Sequence, residues 1–140
     1  LNNKIISATS FDMKLDIHFY NYNYNEEGNY SKVEYYINDF LVETWEYNYK
    51  KGKISKISKR DVDNRQILYW NYHYNKSNNL ILGEMSYKGT MTTWEYFYTI
   101  DKITDETYPH EIIETNPDGS KYKYKIEKNG LQESVTPISN

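Results

Sequence analysis

The sequence predicts an all-β protein, an antiparallel meander of about five hairpin repeats with a period near 25 residues. Three observations predict it. Tyrosine supplies 17 of the 140 residues, and Ile occurs 14 times against a single Ala; β-branched and aromatic side chains favour strands, whereas a helical chain would draw on Ala and Leu. A tyrosine triplet recurs along the chain at even spacing. Turn-forming segments rich in Gly and Asn alternate with the triplets, as hairpins require.

The triplets are Tyr20-Asn21-Tyr22-Asn23-Tyr24, Trp45-Glu46-Tyr47-Asn48-Tyr49, Trp70-Asn71-Tyr72-His73-Tyr74 and Trp94-Glu95-Tyr96-Phe97-Tyr98, with a weaker copy at Ser120-Lys121-Tyr122-Lys123-Tyr124. Their first residues lie at 20, 45, 70, 94 and 120, so the spacings are 25, 25, 24 and 26. Such regularity is the mark of a repeat architecture. Each triplet is read as the first strand of a hairpin. A polar turn follows: 25–29, 50–53, 75–79, 101–102 and 127–130. A second strand comes next, beginning near Tyr30, Ile54, Leu80, Ile103 and Leu131. Return turns at Asn38-Asp39, Asp61 to Asn64, Lys88-Gly89 and Asn116 to Gly119 close the units. Hairpin repeats therefore start near 18, 43, 68, 92 and 118 in one β-repeat domain spanning 1–140, and residues 1–16 form a half repeat with a strand at Lys4 to Ser7. The stretch from Asp105 to Thr115 carries the best helical signal, but Pro109 interrupts it and Ile112-Ile113 suits a strand better.

Residues two apart in a strand share a face. Trp45, Tyr47 and Tyr49 thus point one way and Glu46 and Asn48 the other, and the same alternation holds in the neighbouring copies. One sheet face is aromatic and the other charged, the pattern of an antiparallel sheet covered on one side. A core built of tyrosine implies a shallow, wet-edged interior, because each hydroxyl needs water or a partner. A curved sheet, a partial barrel or a two-layer arrangement would cover the aromatic face; a flat single layer would leave an apolar patch exposed.

The segments Tyr22-Asn23-Tyr24-Asn25-Glu26-Glu27-Gly28-Asn29-Tyr30-Ser31-Lys32-Val33 and Tyr47-Asn48-Tyr49-Lys50-Lys51-Gly52-Lys53-Ile54-Ser55-Lys56-Ile57 resemble the YD repeats of bacterial RHS-like surface and secreted proteins. The chain is also similar to tyrosine-rich repeat lipoproteins of Bacteroidetes surfaces. It departs from the YD pattern where Asn, Lys or Thr stands for the Asp, and the Gly is missing from the third and fourth copies. The resemblance implies a bacterial cell-envelope or secreted (periplasmic or extracellular) β-repeat, serving as scaffold, shell or binding surface, with no catalytic residues. A longer repeat array is left open.

Composition narrows the function classes. With 17 Lys and Arg against 20 Asp and Glu, the net charge of −3 speaks against a broad grip on nucleic acid. Zero Cys excludes a disulfide framework, a thiol nucleophile and a Cys-ligated metal. No run reaches the ~18 apolar residues of a membrane-spanning helix, and no signal-peptide pattern is present, although a removed one leaves no trace. His18, His73 and His110 are far apart and lack ligand spacing, so no metal and no cofactor is expected. Glu46 and Glu95 recur at equivalent places, unlike a catalytic pair, and read as cross-strand partners of Lys. The basic run from Lys50 to Arg60 reads as a solvated surface that discourages strand addition.

The expected function is therefore a non-catalytic β-repeat scaffold or interaction module meeting a protein or glycan at the envelope. An alternative is a carbohydrate-binding module, in which Trp45, Trp70 and Trp94 with Tyr47, Tyr72 and Tyr96 form a ladder for sugar rings; other Trp- and Tyr-rich hairpin repeats bind choline or glucan. Against that ladder stands the plainer reading of periodic aromatics as core. A periplasmic lipid or lipoprotein carrier, with a pocket enclosed by a curved sheet, is the remoter alternative.

Overall fold

The computed structural model describes residues 4–139; the first three residues of the expected half repeat lie outside them. The protein is all-β, with eleven strands and, among the described residues, no helix. They are β1 (Ser7–Phe11), β2 (Ile17–Tyr24), β3 (Tyr30–Ile37), β4 (Phe40–Lys50), β5 (Lys53–Asp61), β6 (Gln66–Tyr74), β7 (Leu80–Tyr87), β8 (Thr90–Ile100), β9 (Thr107–Thr115), β10 (Lys121–Ile126) and β11 (Gln132–Ile138). The hydrogen-bonded order is the sequence order, an open antiparallel meander with β1 and β11 at its ends. Five hairpins follow the half repeat, as the triplets predict. The stretch around Pro109 is strand β9.

The contacts divide the chain within β6 into two compact units, residues 1–69 and 70–140. Inside each unit a strand contacts only its neighbours in sequence. The aromatic face of each unit thus has no second layer over it from within that unit. No hydrophobic side chain among the described residues is buried. The buried polar residues are Thr44 at 8%, Ser58 at 2% and Thr92 at 8% relative exposure, short side chains overtopped by their neighbours. Tyrosine makes this arrangement tolerable, since its ring packs on the sheet while its hydroxyl reaches water.

Two turn types set the register. Asn38-Asp39, Lys51-Gly52 and Lys88-Gly89 have positive φ at both residues, the two-residue hairpin whose twist matches the strands. The turns at 12–16, 25–29, 61–65 and 75–79 repeat a five-residue pattern. Asn25 N–H donates to the Asn29 carbonyl at 2.9 Å, Gly28 N–H donates to the Asn25 carbonyl at 2.9 Å, and Asn29 N–H donates to Asn25 Oδ1 at 2.8 Å. Asn75 to Asn79 and Asp61 to Arg65 reproduce it. In these four turns the first-place Asn or Asp closes the turn through its side chain, whereas at 116–120 and 127–131 Asp118 and Asn129 accept the last N–H instead.

The same turn displaces the first strand from its expected position. Asp12 Oδ1 accepts the Lys14 N–H at 2.8 Å and the Asp16 N–H at 3.1 Å, which sets the reversal at residues 12–16. Strand β1 therefore falls at Ser7–Phe11 rather than Lys4 to Ser7, with the Ile6 carbonyl still accepting the Tyr22 N–H at 2.9 Å.

Four second strands, β3, β5, β9 and β11, carry a bulge that period-two reading does not anticipate. Asn23 faces Lys32 but Tyr24 faces Tyr30, leaving Ser31 over; Asn48 faces Lys56 but Tyr49 faces Ile54, leaving Ser55 over. His110 and Glu133 are passed over in the same way in β9 and β11. The extra residue lets apolar side chains three apart share the aromatic face, as Tyr30 with Val33 and Ile54 with Ile57. It also admits Pro109 opposite Tyr98, beside the bulge where a missing N–H is tolerated.

Candidate functional site

The aromatic face of the first unit forms an open trough of about 290 Å³ lined by Tyr20, Tyr22, Tyr30, Val33, Tyr35, Trp45 and Tyr47. Cross-strand register builds it: Tyr20 lies opposite Tyr35, Tyr22 opposite Val33, and Val33 opposite Trp45. Tyr20 and Tyr35 stack with centroids 4.8 Å apart and planes at 21°, and Tyr30 reaches Tyr22 at 5.6 Å and Tyr47 at 6.3 Å. Offset pairs of this kind add about 0.5–1.5 kcal/mol each beyond burial. His18 closes one end, its Nδ1 2.6 Å from the Tyr35 hydroxyl and its Nε2 3.5 Å from Asp12. Glu43 on β4 faces Tyr35, and Trp45 Nε1 donates to Glu43 Oε1 at 2.8 Å, while the Lys59 ammonium pairs with Glu43 and lies 5.1 Å from the Trp45 ring centroid.

In the second unit Trp70, Tyr72, Trp94 and Tyr96 line an open slot of about 240 Å³ beside Gly83. Gly83 faces Trp94 across the β7–β8 pair and is buried. A Cβ at Gly83 would meet Trp94 Cε3 and Tyr96 Cε2 at 3.8 Å, ordinary contact, so sterics do not exclude a side chain there. Trp94 is fixed from its other side: its Nε1 donates to Glu114 Oε2 at 3.1 Å, and the Tyr124 hydroxyl donates to the same oxygen at 2.9 Å. That hydrogen bond to Glu114, more than burial, raises the Tyr124 pKa. Burial raises those of Tyr47, Tyr72 and Tyr96.

The six expected stacking residues thus fall into two groups, Trp45 and Tyr47 in the first unit and the other four in the second. Sequence alone does not single out Glu43, Gly83 or Glu114, and it assigns Lys59 to the solvated basic run. Glu43 lies two residues before Trp45 and Glu114 two after Ile112, so strand alternation alone assigns both to the aromatic face.

The opposite face is a network of charged pairs. Glu34 accepts Asn21 Nδ2 at 3.0 Å and pairs with Lys32; Glu84, fifty residues on, accepts Asn71 Nδ2 at 3.2 Å and meets His73 Nε2 at 3.0 Å. These partners, Lys32 first in one case and His73 first in the other, lower both carboxyl pKa values. Glu46 is held by Arg60 Nε at 3.2 Å rather than by a Lys, and Glu95 faces Leu82 and Ile113. Part of the basic run is therefore tied into the sheet. Among the described residues no three His, Asp or Glu side chains gather as a metal site, and no helix is long and apolar enough to cross a membrane.

One clamp joins two turns of the second unit. Lys128 Nζ lies 2.9 Å from Asp101 Oδ2, 2.9 Å from Glu106 Oε2 and 2.8 Å from Thr104 Oγ1. The Lys128 contact, aided by the N–H groups of Ile103 and Thr104, brings Asp101 to about 2. A carboxyl held below its ordinary 3.8 stabilises the loop above that value and releases it as pH falls toward 2. Lys128→Ala is expected to raise the Asp101 pKa toward 3.8 and to speed amide exchange at Ile103 and Thr104. Side-chain NMR titration reads the first and hydrogen exchange the second; an unmoved Asp101 would contradict the clamp.

Compared with known proteins, the chain matches no family model and no curated relative.

Proposed function

We propose that the chain is a non-catalytic β-repeat interaction module, of a bacterial envelope or secreted protein, whose aromatic sheet face is the binding surface for a protein or glycan. One observation carries this reading: within each unit the aromatic face has no second layer over it, and no hydrophobic side chain among the described residues is buried. Exposed apolar surface of that kind, rimmed by charged groups such as Glu43, Lys59 and Glu114, commonly marks an interaction site. The envelope setting draws its support from the likeness of the Tyr22–Val33 and Tyr47–Ile57 segments to YD repeats. The carboxylates nearest the rings are engaged by Trp, Tyr or Lys partners, which suits structural roles rather than proton transfer. A lipid carrier needs an enclosed apolar cavity, and neither the trough nor the slot supports that alternative.

The test is a surface dye. Anilinonaphthalene sulfonate added to the folded protein should become fluorescent, and Tyr22→Lys with Tyr47→Lys should remove part of that signal while cooperative unfolding is retained. A folded protein that leaves the dye dark overturns the reading.

A further inference from the structure

Two tryptophans hold equivalent places in their repeats, Trp45 in β4 and Trp94 in β8, and each gives its indole N–H to a glutamate, Glu43 at 2.8 Å and Glu114 at 3.1 Å. The two glutamates reach that indole from different places. Glu43 stands two residues before Trp45 on the same strand, and the residue opposite Trp45 in β5 is Lys59. In the second unit the residue two before Trp94 is Thr92, and the residue opposite Trp94 in β9 is Glu114 itself. An acid therefore occupies the register position that a cation occupies in the first unit.

The exchange leaves the second site one cation short. At Trp45 the Lys59 ammonium pairs with Glu43 and lies 5.1 Å from the ring centroid. At Trp94, Glu114 Oε2 accepts only neutral donors, the indole N–H and the Tyr124 hydroxyl at 2.9 Å. Among the described residues no Lys, Arg or His pairs with Glu114. Strand alternation explains why. Tyr122, opposite Glu114, and Tyr124 share its face, whereas Lys121, Lys123 and Lys125 of β10 point to the other, where Lys123 meets Glu111 at 3.0 Å. The Glu114 carboxylate lies in an open pocket of about 240 Å³ that Trp94, Tyr96, Ile112, Tyr124 and Gln132 also line.

That composition selects a cation. A carboxylate and the faces of aromatic rings both attract positive charge and repel an anion, and a neutral ligand leaves the charge of Glu114 unanswered. The first unit shows which cation satisfies a glutamate beside a Trp ring: a primary ammonium on an alkyl stem, that of Lys59. In the second unit such a stem has Ile112 and Tyr96 to lie against. Trp94 and Tyr96 also line the slot beside Gly83, so the pocket continues into the uncovered aromatic face. One side chain gains little binding energy alone, and a partner chain lying on that face adds the contact area that offsets the cost of association. We propose that Glu114, Trp94 and Tyr124 form a docking point for a lysine side chain of a partner protein seated on the aromatic face of the second unit. The proposal rests on the interaction-module reading and names the partner's chemistry at one site. The equivalent place in the first unit does not take part, because Lys59 already fills it.

The probe is a peptide with one lysine between two leucines, capped at both ends so that the ammonium is its only charge, and the control is the same peptide with that lysine acetylated. Each is titrated against the full chain while NMR follows the indole N–H signals. The expected result is a saturable shift of the Trp94 indole with the lysine peptide and binding weaker by about fivefold or more with the acetylated one. Glu114→Gln keeps an acceptor for Trp94 and Tyr124 but removes the charge; it should abolish the difference between the two peptides. Glu26→Gln removes the same charge from an exposed turn of the first unit and should leave the affinity within about twofold. If Glu114→Gln does not unfold cooperatively, the comparison of the two peptides on the unaltered chain decides. The proposal is overturned if neither peptide binds, if acetylation or Glu114→Gln leaves the affinity unchanged, if the Trp45 indole shifts in place of Trp94, or if free butylamine binds as tightly as the peptide. Dye binding without peptide binding removes the docking proposal alone, whereas absence of both removes the wider reading.

Discussion

Trp94→Ala is expected to destabilise the protein by about 2–3 kcal/mol, the largest loss for any single aromatic on the sheet. Fully buried Phe or Trp truncations cost about 3–5 kcal/mol, and Trp94 is only partly buried. Two further losses add to the area term. Glu114 keeps the Tyr124 hydroxyl but loses the indole donor at 3.1 Å, and Gly83 loses the ring that covers its backbone. Trp94→Phe separates the contributions: it retains most of the covering ring and removes only the hydrogen bond, for about 1 kcal/mol. Urea unfolding measures both. A Trp94→Ala loss under about 1 kcal/mol would show that the rings decorate the sheet rather than hold it.

Alkaline pH is expected to unfold the protein cooperatively. Burial raises the hydroxyl pKa values of Tyr47, Tyr49, Tyr72, Tyr74, Tyr96 and Tyr98 above 10.0, and for Tyr96 the neighbouring Tyr72 and Tyr98 add to the effect. A raised pKa in the folded state means that the fold favours the neutral phenol. That stabilisation is complete below pH 10 and is lost as pH rises through the folded values, because the unfolded chain ionises first. Six equivalent groups on one sheet face make the loss additive in direction. Tyrosinate absorption and the strand circular-dichroism signal should change together above pH 10. Tyrosines that titrate one by one with the strand signal intact would contradict the packing described.

The strand count and order were legible because local signals coincide. The triplets mark the first strands, and the Asn, Asp and Gly positions mark the turns, each through its own side-chain or positive-φ chemistry. The spacing of apolar residues after each tyrosine triplet is visible in the sequence but its cause is not. Two apolar residues three apart, as Ile54 and Ile57, contradict simple alternation until the Ser55 bulge restores them to one face. The first strand was misplaced by three residues because Lys4 to Ser7 looks like a strand, while the Asp12 turn that fixes the register acts from outside it.

The candidate site was legible only in part. The six aromatic residues were identified by periodicity, yet periodicity weights every copy alike and so hides what differs between them. Gly83 is such a difference, and a missing side chain carries no motif. Lys59 was read as part of a solvated basic run; the β4–β5 register instead sets it opposite Trp45, with its ammonium over the ring. The expectation that the aromatic face would be covered came from the cost of exposed apolar area. Within each unit tyrosine lowers that cost, since half-buried rings with wet hydroxyls need no second layer from that unit to satisfy them.

The central claim is that the aromatic face is open to solvent in the folded protein. Acrylamide quenching of tryptophan emission tests it most directly, since Trp45, Trp70 and Trp94 are all on that face. Quenching between that of a buried indole and that of the urea-unfolded chain, with emission to the red of a buried indole, is the predicted result for three half-buried Trp residues. Blue-shifted emission that resists acrylamide in the monomer would contradict it.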